Sequence, residues 1–77
     1  MSNEEILKEI NEIFVEVLEN SEIIISELTT AEDIEEWDSL SHIMLVTAIE
    51  KKFNKRFTSF EILSWKRVSD MIQSIKN

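Results

Sequence analysis

The sequence contains no glycine, no proline and no cysteine. Without cysteine, neither a disulfide nor a thiolate metal site can staple the fold. The single histidine cannot build a zinc site alone, and no metal site is expected. Without glycine or proline, turns must be made from Asn, Ser, Thr and Asp. That suits a helical chain better than a β one, because tight hairpins lean on glycine. Long apolar runs are also missing. The longest, Ile23-Ile24-Ile25 and Ile43-Met44-Leu45-Val46, are far too short to cross a bilayer. No basic start precedes an apolar run, so no signal peptide is expected, and the expected location is the cytoplasm.

What remains is 77 residues, read as one domain over residues 1–77. A domain this small hides only about 60% of the surface its unfolded chain exposes, so its core is thin. Stability has to come from apolar packing. The 43% hydrophobic content supports that and argues against disorder. The charge is lopsided. Residues 1–40 hold thirteen acids and one base, a balance of −12, and residues 41–77 hold three acids and seven bases, a balance of +4. The acidic half argues against nucleic acid as a partner, because phosphate contacts need clustered Lys and Arg.

Hydrophobic spacing marks out the elements. Ile6, Ile10, Ile13, Phe14, Val17 and Leu18 predict an amphipathic helix over 3–19, opened by a Ser2/Glu5 capping box and ended by Asn20-Ser21. Residues 20–38 are irregular and predict an ordered loop. Its apolar anchors are Ile23-Ile24-Ile25, Leu28, Ile34 and Trp37. A loop this long in a small domain is often functional. A second helix is predicted over 39–53. Asp38 and Ser39 both suit its start, and Asn54 is a left-handed terminator in place of glycine. Its apolar stripe is His42, Leu45, Val46, Ile49 and Phe53, with Ile43 beside them. Thr58 and Glu61 open a short helix at 59–64, and Val68, Met71, Ile72 and Ile75 define a last one at 66–76. The fold class is therefore all-α: a small four-helix bundle of three main helices and one short one, with a long first loop. Phe14, Ile34, Val46, Ile49, Phe53 and Ile72 are expected to bound its interior.

The centre of the chain carries a motif, Glu36-Trp37-Asp38-Ser39-Leu40-Ser41-His42-Ile43. It is followed by Ala48-Ile49-Glu50-Lys51-Lys52-Phe53, then Phe57-Thr58, then Val68-Ser69-Asp70-Met71-Ile72. In order, spacing and size these segments resemble the acyl and peptidyl carrier proteins, whose Asp-Ser-Leu opens the second helix. The resemblance runs over about residues 5–75. It implies a carrier rather than an enzyme, with no catalytic residues. The cofactor would be 4'-phosphopantetheine, moved from coenzyme A onto Ser39 by a phosphopantetheinyl transferase. Asp38 would assist that transferase. The arm's thiol would hold acyl or aminoacyl groups as thioesters for loading and transferring enzymes. Leu40, Met44 and Thr47 would meet those partners, and a monomer is expected. A phosphodiester at a helix N-terminus is stabilised by free N–H groups and the helix dipole. Read from its immediate neighbours alone, Ser39 is better explained as an N-cap, and it is the resemblance along the whole chain that favours the arm.

Two other readings use the same residues. An unmodified helical module could bind a partner through an apolar groove. A hydrolase could pair Ser39 with His42, three residues on, but it would also need an oxyanion site, an orienting carboxylate and a cleft. Within the resemblance, the second helix departs from the pattern of fatty acid synthesis. It has one acid, Glu50, and carries Ser41, Met44, Lys51 and Lys52 where acids are common. Charge complementarity sets partner choice, so the expectation is a dedicated carrier for a fatty acid-like, polyketide or other specialised product.

The acids crowd the first helix and the loop instead. Their mutual repulsion weakens in salt. The melting temperature is expected to rise between low and high salt, as read by circular dichroism; an unchanged value would count against the repulsion.

Overall fold

The computed structural model describes residues 1–77, and its first helix starts at the predicted capping box. The Ser2 hydroxyl accepts from the Glu5 N–H at 3.2 Å, and the Glu5 carboxylate accepts from the Ser2 N–H at 2.9 Å. Four helices follow: α1 (Asn3–Leu18), α2 (Ser39–Phe53), α3 (Ser59–Ser64) and α4 (Val68–Lys76), with one 3-10 turn at Ala31–Asp33. This is the predicted all-α arrangement of three main helices and one short one. No helix is long and apolar enough to cross a membrane.

α1 buries Ile6, Ile10, Phe14 and Leu18, one per turn, and packs chiefly on α2 and then on α4. Val46, Ile49 and Ile72 lie in the core with Phe14, as expected. Ile34 and Phe53 do not: both are half-buried at its margin. Phe53 is the last residue of α2. On α2 the inward positions are Ser41, Leu45, Val46 and Ile49. Ile43, expected beside the apolar stripe, is exposed. It stands two residues from both Ser41 and Leu45, about 200° round the helix from each.

The long loop is tied down by polar side chains. The Asn11 amide donates to the Ile23 carbonyl at 3.2 Å and accepts from the Ile25 N–H at 2.7 Å. An extended segment held this way alternates, so Ile23 and Ile25 face the core and Ile24 faces water. Leu28, expected as an anchor, is 72% exposed. It sits at the tip of a Ser26–Thr29 turn closed by the Thr29 hydroxyl, which accepts from the Ser26 N–H at 2.8 Å. Farther on, the Thr29 and Glu27 carbonyls accept from the N–H groups of Val68 and Ser69 at 3.0 and 2.9 Å. These are two of the donors that a helix start leaves unpaired. Arg67 is extended and bridges to Thr30, so α4 begins at Val68 and not at residue 66. Lys55 closes the other end of α4. Its ammonium donates to the carbonyls of Ser74, Ile75 and Asn77 at 3.2, 3.0 and 2.7 Å.

α1 ends one residue earlier than predicted because Glu19 turns left-handed, with φ 52° and ψ 44°. Asn54 does the same after α2, with φ 52°. Glutamate lacks the local hydrogen bonding that lets asparagine tolerate this region. Glu19→Gly is therefore expected to stabilise the fold by about 0.5–1 kcal/mol in urea titrations, after the entropy that glycine adds to the unfolded chain. Asn54→Gly is expected to change it by much less.

Candidate functional site

Asp38, not Ser39, caps α2. The Asp38 carboxylate accepts from the Ser41 N–H at 2.9 Å, and the Asp38 N–H donates to the Ser41 hydroxyl at 2.8 Å. The Ser41 hydroxyl donates onward to the Glu36 carbonyl at 2.8 Å. Ser41 is the one buried polar residue of the chain. This reciprocal box fixes the path of the loop into the helix. It also leaves Ser39 as the first helical residue, exposed, with the capping done by its neighbours. Ser41 was legible in the sequence only as a missing acid. The signal that could have found it is its place three residues after an N-cap aspartate.

Leu40, Met44 and Thr47 share one outward face of α2, as their spacing predicts. Leu40 is 75% and Met44 51% exposed. The Thr47 hydroxyl is spent on its own helix, donating to the Ile43 carbonyl at 3.0 Å. Ile43 on α2 and Phe60 and Leu63 on α3 add exposed apolar surface that the sequence reading did not single out. Between α2 and α3 lies an open trough of about 410 Å³, lined by Trp37, Ser39, His42, Ile43, Leu63 and Lys66 among others. A second hollow, of about 380 Å³, lies toward the far end of α2. It is lined by Glu9, Glu12 and Glu16 opposite Lys51 and Lys52, where Lys52 pairs with Glu9 at 3.3 Å.

The Glu50 carboxylate accepts from the Phe57 N–H at 2.9 Å. The one acid of α2 is therefore committed to holding the loop that follows. His42 is half-buried, and both its ring nitrogens are engaged. Nδ1 accepts from the Trp37 indole N–H at 3.1 Å, so the proton lies on Nε2, 3.3 Å from the Ile62 carbonyl. An imidazole committed to Trp37 and Ile62 is not placed to activate Ser39, so the hydrolase reading loses its base. Trp37 and Trp65 are buried anchors, as expected.

The Asp38 carboxyl titrates below its ordinary value near 3.8, chiefly because the Ser41 N–H bonds the charged form. Glu5 is lowered likewise, chiefly by the Ser2 N–H. A carboxylate with a folded pKa below its unfolded one stabilises the fold above the unfolded value. That contribution fades as pH falls through the folded one. Stability should therefore drop below about pH 4, and Asp38→Asn should shrink the drop, measured as urea midpoints at neutral and acid pH. At neutral pH, Ser41→Ala is expected to cost about 1–3 kcal/mol, because it orphans the Asp38 N–H and the Glu36 carbonyl. Ser39→Ala should stay within about 0.5 kcal/mol.

No family model matches the sequence, and no curated protein matches it. A solved structure does. The solution NMR structure of a holo acyl carrier protein from Geobacter metallireducens superposes with a TM-score of 0.84 at 31% identity, covering 91% of this chain and 80% of that one. The match runs over nearly the whole bundle. It agrees with the motif-by-motif resemblance around residues 36–43, and the chain belongs to the acyl carrier protein family, a family of carriers and not of enzymes.

Proposed function

We propose that this protein carries acyl or aminoacyl intermediates as thioesters on a 4'-phosphopantetheine arm attached to Ser39. The observation that carries the reading is the position of Ser39: exposed, at the first residue of a 15-residue helix, with the cap supplied by Asp38 and Ser41. The similar protein from Geobacter metallireducens is a holo form, which supports a bound arm here.

The residues present suit the group. Ser39 offers a primary hydroxyl in the open. In the attachment step its oxygen bonds to a phosphorus of the coenzyme A pyrophosphate. The pyrophosphate P–O bond breaks, the adenosine bisphosphate half leaves, and the hydroxyl proton passes to a base on the phosphopantetheinyl transferase. The product is an anion beside the N–H groups of the first turn, at the positive end of the α2 dipole. Once bound, the arm supplies the thiol on which cargo is held. Asp38 keeps the helix start in place and stands as the residue a transferase would read next to Ser39. Leu40, Met44 and Thr47 form the apolar contact face for loading and transferring enzymes. With Glu50 tied to Phe57, that face offers no free acid to a basic partner surface. This supports a carrier dedicated to one specialised pathway.

Incubation with coenzyme A and a broad-specificity phosphopantetheinyl transferase, followed by intact-mass measurement, tests the proposal. One added phosphopantetheine is expected in the wild type and none in Ser39→Ala. A folded wild-type protein that gains no mass would favour the unmodified interaction module.

A further inference from the structure

Five rings form a row from α1 to the loop after α2. Phe14 meets Trp37 edge-on with centroids 5.0 Å apart, and Trp37 lies nearly parallel to His42 with centroids 6.0 Å apart. His42 meets Trp65 edge-on at 6.0 Å, and Trp65 meets Phe57 at 5.0 Å. Hydrogen bonds peg the row in place. The Trp37 indole donates to His42 at 3.1 Å, His42 reaches the Ile62 carbonyl at 3.3 Å, and the Trp65 indole donates to the Ser74 hydroxyl at 2.9 Å. Trp37, His42 and Trp65 are also lining residues of the trough that starts at Ser39. The row therefore floors the trough. On its inner side Trp37 rests on Phe14, which is completely buried.

Building on the reading that Ser39 bears the arm, we propose that the thioester cargo of this carrier lies outside the bundle, along the trough, and that His42 is the residue that excludes long alkyl chains from the core. The cargo class is a compact acyl or aminoacyl group. An alkyl chain passing between α2 and α3 has to part His42 from Trp37 or from Ile62. It offers no hydrogen bond in return, so a part-buried N–H or carbonyl is left facing hydrocarbon. The row is also close-packed, and a chain threaded through it must displace rings already in contact. A compact cargo avoids both penalties. It meets Ile43 and Leu63 on the trough walls, and its polar groups meet water, Asp38 and Lys66.

The test loads the full-length protein through the transferase with butyryl-, hexanoyl- and decanoyl-coenzyme A, and intact mass confirms each product. Melting temperature and the NMR shifts of the methyl groups of Leu45, Ile49 and Val68, which are fully buried in the core, are then compared. The wild type is expected to give the same melting temperature and the same core methyl shifts for all three chains. In His42→Ala, melting temperature should climb with chain length, because the route inward is open. His42→Gln, which can both donate and accept, should restore the wild-type pattern. A wild-type protein whose melting temperature rises from butyryl to decanoyl while the core methyl shifts move overturns the inference and leaves the arm on Ser39 standing. A protein that gains no mass overturns the arm and the inference together. If His42→Ala does not fold, the wild-type series decides the matter, and Trp37→Phe, which keeps an aromatic ring of smaller size and removes the donor, takes its place as the opened variant.

Discussion

Twenty residues separate α1 from α2, and none belongs to an α-helix or a named strand. Their backbone groups still need partners wherever water is excluded. How those partners are found decides most of the architecture. Asn11 reaches out of α1 to hold Ile23 and Ile25. Ser26, Thr29, Thr30 and Asp33 close local turns. The Glu27 and Thr29 carbonyls satisfy the start of α4. The Glu36 carbonyl takes the Ser41 hydroxyl. The loop thus behaves as a fourth structural layer. It is bonded to α1 at one end, to α4 in the middle and to α2 at the other, and it delivers Asp38 and Ser39 to the helix start in a fixed geometry.

The polar atoms near the trough follow the same economy. His42 uses one nitrogen on the loop through Trp37 and the other on α3 through Ile62. Glu50 holds the N–H of Phe57, and Lys55 holds the end of α4. Each of these α2-side groups bonds another segment, which helps a thin core stay ordered without disulfides. As a result the outer face of α2 is apolar near Ser39. The lone acid on that helix is structural, and among the lysines Lys52 pairs with α1.

Much of this was legible in the sequence, and the failures share a cause. α2, α3 and the start of α1 were read correctly because their caps are local: Asp38, Thr58/Glu61 and Ser2/Glu5 act within three residues. The carrier resemblance was legible for the same reason, as short motifs in a fixed order. Leu28 and Ile43 were placed inside because an apolar side chain gives no sign by itself of which way it points. A turn in one case and a helical rotation in the other send them outward. The start of α4 was misjudged because Thr30, far away in the chain, holds Arg67 extended. Asn11, Lys55 and the bond of His42 to Ile62 act across separations that no local pattern records. The trough beside Ser39 was missed because its walls come from α2, α3 and the end of the loop.

Ser39 and Ser41 are two residues apart on one helix turn, and they answer to different demands. The hydroxyl of Ser41 is enclosed and engaged on both sides, so the fold depends on it. The hydroxyl of Ser39 stands free of the cap, so the fold is indifferent to it. Selection can then act on the two independently. The helix terminus is complete without the Ser39 side chain, and its outer position can be exchanged without renegotiating the architecture beneath. A cysteine there, in a chain that has no other, would be a single thiol handle for site-specific chemistry.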